Sequence, residues 1–239
     1  MTSDGTIEGT RLPEATRLQY LEAMGISCWK EQQTGEAPGQ QTMQQETARP
    51  AVEAEPPAAQ TWPLLQQQVA SCSRCEQLAA HRTQTVFGTG DQAADLLVIG
   101  EAPGRDEDIR GEPFVGRAGQ LLNAMLKAIG FEREQVYIAN ILKCRPPDNR
   151  DPTSDEAANC SGYLQQQIEL IAPKVILVVG RVAAQNLLGS QEAIGRLRGG
   201  QHQYQGIPVV VTYHPAYLLR QPSEKRKSWQ DLLRLKQMM

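Results

Sequence analysis

Four of the five cysteines in this 239-residue chain form a pattern. Cys72 and Cys75 make a C-x2-C pair, Cys144 follows far downstream, and fifteen residues separate it from Cys160. Four thiolates suit a tetrahedral zinc ion or a cubane iron–sulfur cluster, and spacing alone does not choose between them. A thioredoxin-like redox pair would need a strand before Cys72, and none is predicted there. Unligated buried thiols are the remaining alternative, and Cys28 takes no role. A second set of reactive side chains comprises Glu101 in Gly100-EAPG-Arg105-DED, Asn140, and His214 in His214-PAYLLR. A carboxylate, an amide and an imidazole together can orient a water, read the edge of a heterocycle and stabilise growing negative charge. Each alone has an ordinary explanation: a solvated loop glutamate, a turn-forming asparagine, a packed histidine before proline. The glycine-rich segment lacks the Lys-Ser/Thr ending of a nucleotide P-loop, and no nucleophile elbow is present.

Hydrophobic periodicity supplies the elements that must position these groups. Residues 95–100, 136–142, 174–180 and 207–214 are short, nearly continuous apolar runs and read as buried strands. Helical spacing is predicted over 117–130, 153–172, 181–188 and 223–238, with Thr153 or Ser154 opening the second and Asp155 and Glu156 in its first turn. Alternating strands and helices with apolar strands imply a parallel sheet covered on both faces. In such sheets ligands bind outside the carboxyl ends of the strands, where Glu101, Asn140, Gly180-Arg181 and His214 all fall.

Composition bounds the rest. Hydrophobic residues are 40% and charged residues 21%, as in a globular protein with a sizeable core. No apolar run is long enough to cross a bilayer, so no membrane partner is expected. The opening MTSDGTIEGT lacks the basic and apolar regions of a secretory signal. A cytoplasmic, nucleoid-associated monomer is expected. The net charge of −3 hides an asymmetry: residues 1–60 carry −5 and residues 61–239 carry +2. Residues 196–239 hold eight bases against Glu224 and Asp231, which permits phosphate contact but also fits a solvated basic helix. Three segments follow: a tail over 1–31 with a short amphipathic helix at 17–29, a disordered Gln/Pro-rich linker over 32–61, and a globular domain over 62–239.

The pair Cys72-x2-Cys75 and the segments Gly100-EAPG-Arg105-DED, Gly111-EPFVGRAGQLL, Val136-YIANILKCRPPDNRDP and His214-PAYLLR, in this order, closely resemble the family 4 uracil-DNA glycosylases. The likeness runs from about Ser71 to Leu235. It implies an α/β fold of the uracil-DNA glycosylase type, a three-layer α/β/α sandwich around a short four-stranded parallel sheet. It implies monofunctional excision of uracil from DNA in base excision repair, and a [4Fe-4S] cluster on Cys72, Cys75, Cys144 and Cys160 that staples loops without redox turnover.

The chemistry then needs four jobs done around a flipped-out base. By resemblance, Gly100, Glu101 and Ala102 line the base pocket, Phe114 stacks on uracil, Asn140 reads its edge and His214 stabilises charge on O2. Leu218, in the loop after the histidine, fills the hole left in the duplex, and Arg220 meets a phosphate. Ala102 stands where better-known relatives carry a water-activating Asp, so Asp106, Asp108 and Glu101 remain candidates to position the water. Gly104 replaces the aromatic that excludes thymine's methyl group, a task Glu101 takes over by resemblance. The basic, His-containing insertion of the branch that crosslinks to DNA is absent, so no stable covalent capture is expected.

Residues 21–29, LEAMGISCW, resemble the amino-terminal peptide of the bacterial polymerase III psi subunit. That likeness implies a clamp-loader contact anchored by Trp29; the alternative is a tail that docks on its own domain or does nothing. Two other functions compete with the glycosylase: a catalytically weak damage-binding or replisome adaptor on the same scaffold, and a zinc-stabilised nucleic-acid binder.

Overall fold

The computed structural model describes residues 61–239. The expected tail helix, Cys28, Trp29 and nearly all of the expected linker lie outside the described residues. Two helices come first, α1 (Trp62–Ala70) and α2 (Glu76–His81), with Cys72 and Cys75 between and beside them. There follow β1 (Thr89–Gly90), β2 (Leu96–Gly100), α3 (Arg105–Arg110), α4 (Arg117–Ala128), β3 (Tyr137–Asn140), α5 (Ser154–Ile171), β4 (Val175–Val179), α6 (Arg181–Leu188), α7 (Ile194–Leu197), β5 (His202–Tyr204), β6 (Ile207–Thr212), α8 (Pro215–Arg220) and α9 (Lys225–Met238). No described helix is long and apolar enough to cross a membrane.

The sheet has the order β1-β3-β2-β4-β6-β5. Its middle strands β3, β2, β4 and β6 are parallel, as expected. The two edges are not in the sequence-based reading: β1 and β5 pair antiparallel with β3 and β6. They are two and three residues long, too short to carry a period-2 signal. Both faces of the sheet are apolar. Leu97, Ile99, Ala139, Ile176, Val178, Val209 and Val211 pack on α5 and α6 through Leu164, Ile168, Ala183 and Leu187. Their sequence neighbours Leu96, Val98, Ile138, Val175, Leu177 and Val210 pack on α4 and α9 through Leu122, Leu126, Leu232 and Leu235. That double burial is why the strands read as continuous apolar runs.

Chain order reverses at β2: the chain moves to β3 on one side, then to β4 and β6 on the other. A crevice opens at such a switch point, beyond the carboxyl ends of the strands. Local signals fix the segments around it. Thr153 caps α5 by accepting from the Glu156 N–H at 3.2 Å, and Glu156 returns a bond to the Thr153 N–H at 2.9 Å. Pro215 starts α8, with His214 as its N-cap.

A buried ion pair braces the His214 strand end. Asp231 on α9 accepts from Arg198 Nε at 2.7 Å and from Thr212 Oγ1 at 2.8 Å. The Arg198 guanidinium lies over the Tyr213 ring, 4.5 Å from its centroid. Substituting Asp231→Ala leaves a buried guanidinium unpaired and is expected to cost about 3–5 kcal/mol of stability. Asp95→Ala breaks only an exposed pair with Lys174 and is expected to cost less than about 1 kcal/mol. Urea denaturation of both variants at neutral pH checks this, and equal losses contradict it.

Candidate active site

The crevice holds a cavity of about 470 Å³. The end of β2 supplies Glu101, Ala102 and Gly104, and the stretch between α3 and α4 supplies Phe114. Glu107, Ala118 and Asn149 add to the wall, Asn140 comes from the end of β3, and His214, Ala216, Tyr217 and Arg220 come from the end of β6 and from α8. Six expected site residues therefore meet in one place: Glu101, Ala102, Phe114, Asn140, His214 and Arg220. Gly100 sits behind them. A Cβ there would overlap Asn140 Oδ1 and the Phe114 ring, so only glycine lets those two side chains converge.

Phe114 is held in a left-handed conformation with φ 54°, an uncommon backbone state for a bulky side chain. Its surroundings enforce it. Gly119 lies so close that a Cβ would overlap the Phe114 carbonyl. Arg133 donates to the Pro113 carbonyl at 2.5 Å and to the Phe114 carbonyl at 3.4 Å. Glu107 accepts from the N–H groups of Gly104 (3.1 Å), Val115 (2.9 Å) and Gly116 (3.1 Å), tying both arms of the loop together. The Phe114 ring stands 5.6 Å from the His214 ring, tilted by 30°. Phe114 is buried and lines the cavity. Glu107 escaped the sequence reading. Its one signal was a glutamate three residues after Gly104 at a helix start, the return half of a capping box.

Asn140 is 2% exposed, and its Oδ1 has no hydrogen-bond partner among the described residues. His214 Nδ1 accepts the Ala216 N–H at 3.1 Å. That bond leaves the proton of a neutral ring on Nε2. Burial, aided by Arg220 and opposed by Glu107, pushes the His214 pKa down to about 4. Glu101 moves the other way: burial and the nearby Asp151 push its carboxyl up to about 7, against Arg181. Of the other carboxylates considered for water, Asp108 is buried with both oxygens accepting the Thr83 N–H at 3.0 Å. Asp106 is exposed outside the wall of the cavity.

Leu218, expected to fill the gap in the duplex, is 1% exposed and packs into the α4–α9 core. The segment after His214 is a helix, not a loop, and a helix that buries residue 218 turns residue 219 outward. Leu219 is the exposed apolar side chain there, at 37%. The basic patch also shrinks, because Arg198 is spent on Asp231 and Lys227 on Glu224.

The thiols of Cys72, Cys75, Cys144 and Cys160 are all free, the last two buried. No group of three or more His, Cys, Asp or Glu side chains among the described residues is arranged to hold a single metal ion. Hydrogen-bond donors nonetheless reach two of the sulfurs. Arg82 donates to Cys144 Sγ at 2.9 Å and to the Cys72 carbonyl at 2.6 Å, and Asn159 donates to Cys75 Sγ at 3.6 Å. Burial pushes the Cys160 thiol up to about 11, and its neighbours Cys144 and Cys75 push in the same direction. Cys144 is raised by burial, then by Cys72 and Cys75, against Arg82. The four sulfurs thus lie within electrostatic reach of one another, and a cluster spreads its ligands wider than one ion does.

Comparison with known proteins gives concordant matches. The family model described as the uracil DNA glycosylase superfamily covers residues 87–233. A type-4 uracil-DNA glycosylase of Archaeoglobus fulgidus is 43% identical over 178 residues, 70% of this chain and 88% of that protein. A type-4 uracil-DNA glycosylase of Thermotoga maritima is 42% identical over 164 residues, 68% of this chain and 85% of the relative. A type-5 uracil-DNA glycosylase of Pyrobaculum aerophilum is more distant, 29% identical over 181 residues.

The two shifted groups bias stability in opposite directions. Between its ordinary value of 4.5 and about 7, folded Glu101 keeps a proton that the unfolded chain has released. Its contribution is therefore present at low pH and lost as pH rises through 7. Between 6.5 and about 4, unfolded His214 binds a proton that the folded ring refuses, so stability falls as pH drops through that window. Glu101→Gln should leave the melting temperature unchanged at pH 5 and raise it at pH 8. Thermal melts at both pH values check this; a lower melting temperature at pH 8 contradicts it.

Proposed function

The chain belongs to the uracil-DNA glycosylase superfamily, in its type-4 branch, and on that premise we propose how the cavity acts on DNA. The protein excises uracil from DNA as a monofunctional glycosylase and leaves an abasic site for repair. The observation that carries this reading is the convergence of Glu101, Phe114, Asn140 and His214 on one cavity, where the buried Asn140 Oδ1 has no partner among the described residues.

A base rotated out of the helix enters the cavity and stacks on Phe114, a contact worth about 1–3 kcal/mol. Asn140 Oδ1 accepts the uracil N3–H, and the amide nitrogen donates to O4. Cytosine presents the reverse pattern and would leave buried polar groups mismatched. As the N-glycosidic bond breaks, its electron pair passes to the base and negative charge collects on O2. His214 meets that charge as a neutral donor through Nε2–H, a form secured by its low pKa and its Nδ1 bond. Glu101 faces the cavity and, when ionised, positions the water that adds to the sugar cation and takes its proton. The same side chain bounds the pocket against thymine's methyl group. Leu219 replaces Leu218 as the apolar residue offered to the gap in the duplex, with Arg220 beside it on a phosphate.

Cys72, Cys75, Cys144 and Cys160 hold a [4Fe-4S] cluster, whose contribution when bound is a covalent staple between the α1–α2 loop, the segment after β3 and α5. The finer partners are proposals on the same footing: a monomer of the cytoplasm and nucleoid, with clamp-loader contact through residues 21–29.

Uracil-containing oligonucleotide treated with protein and then with alkali is expected to break at the uracil. Intact strands at protein excess would remove the glycosylase reading. With Glu101 as the water-positioning base, kcat/KM should rise with pH through about 7 in the wild type. Glu101→Gln should lose about 10²–10⁴-fold and flatten that limb. An unchanged profile in the variant contradicts the assignment.

Purified protein should carry about four irons per chain with broad visible absorbance. Chelation that strips the iron should lower the melting temperature. Stoichiometric zinc without iron contradicts the cluster.

A further inference from the structure

Lys143 is 1% exposed, among the largest fully buried side chains of the protein. Its Nζ donates to the Asn140 carbonyl at 2.9 Å and to Gln167 Oε1 at 2.6 Å. Gln167 is itself 0% exposed, and its Nε2 donates to the Phe87 carbonyl at 2.9 Å and the Tyr137 hydroxyl at 3.4 Å. The Lys143 main chain is pinned as well: its carbonyl accepts the Val86 N–H at 2.7 Å. No carboxylate among the described residues pairs with it.

A buried lysine whose amino group meets neutral acceptors, with the sulfurs of Cys144 and Cys160 as its nearest charge partners, is an expensive way to fill space, and methionine would occupy a similar volume without desolvation. What the amino group adds is direction. Sheet pairing runs out at the end of β3, where the Ile141 and Leu142 N–H groups reach the Gly100 and Glu101 carbonyls at 3.0 Å. There the Asn140 side chain faces the cavity, while its carbonyl is gripped from behind by Lys143.

We propose that Lys143, braced by Gln167, is a positioning residue that fixes the Asn140 main chain and thereby sets the register of the amide against the base. The proposal rests on Asn140 reading uracil. A misplacement on the order of 1 Å at such a site is enough for about a 10²-fold loss of rate.

The test is a double-mutant cycle with wild type, Asn140→Ala, Lys143→Met and the double variant. Single-turnover excision of uracil is measured beside iron content and circular dichroism. Lys143→Met should lower the excision rate by about 10–100-fold, with KM nearly unchanged and with wild-type iron and spectrum. In the Asn140→Ala background the same substitution should cost nothing further. A loss of equal size in both backgrounds overturns the proposal, because a general structural defect is additive and a positioning effect is not. Full activity of Lys143→Met overturns it too. Full activity of Asn140→Ala overturns the reading of Asn140 and the proposal with it. Should Lys143→Met not fold, Gln167→Met replaces it in the same cycle, with a smaller loss and the same non-additivity expected.

Discussion

A carbonyl oxygen buried without a hydrogen-bond partner costs about 1–3 kcal/mol, and the amide oxygen of Asn140, a residue of the cavity wall, has no partner among the described residues. Much of the surrounding architecture serves to keep it there. The parallel strands carry it to a switch point, Gly100 has no side chain and so lets the amide and the Phe114 ring meet, and no donor among the described residues satisfies it. A ligand that brings an N–H to that oxygen recovers the lost bond. One that brings a lone pair does not, and the site discriminates by that difference.

The groups around the amide are held in complementary states by the same burial. A histidine near a growing anion could serve as cation or as neutral donor. Burial and the Nδ1 bond to Ala216 select the neutral form, which has no charge to desolvate. Burial acts oppositely on Glu101 and holds its proton affinity near neutrality, where a carboxylate can both carry and release a proton. One low-dielectric cavity thus separates an imidazole that stays neutral from a carboxyl poised to titrate.

Much of this was legible in the sequence because the fold buries both sheet faces. Continuous apolar runs mark the four parallel strands, and their carboxyl ends point to Glu101, Asn140 and His214. What was missed depends on partners distant along the chain or on elements too short to show a period. The edge strands at Thr89–Gly90 and His202–Tyr204 are of that kind. So is the six-residue helix after His214, whose reading as a loop led to Leu218 where Leu219 is exposed. Glu107 and Lys143 look like ordinary charged residues until Val115, Gly116 and Gln167 fold against them. Polar positioning of this sort has no hydrophobic signature, and periodicity cannot find it.

The most direct measurement at the centre of this mechanism is competitive inhibition by the isolated base and by its N3-methyl derivative. Uracil keeps the N3–H that the Asn140 oxygen lacks, whereas 3-methyluracil has the same ring face for Phe114 and no proton to give. Uracil should inhibit at least about tenfold more tightly, the equivalent of roughly 1.4 kcal/mol. Equal inhibition by the two bases would mean that the amide oxygen is not the element that recognises the substrate.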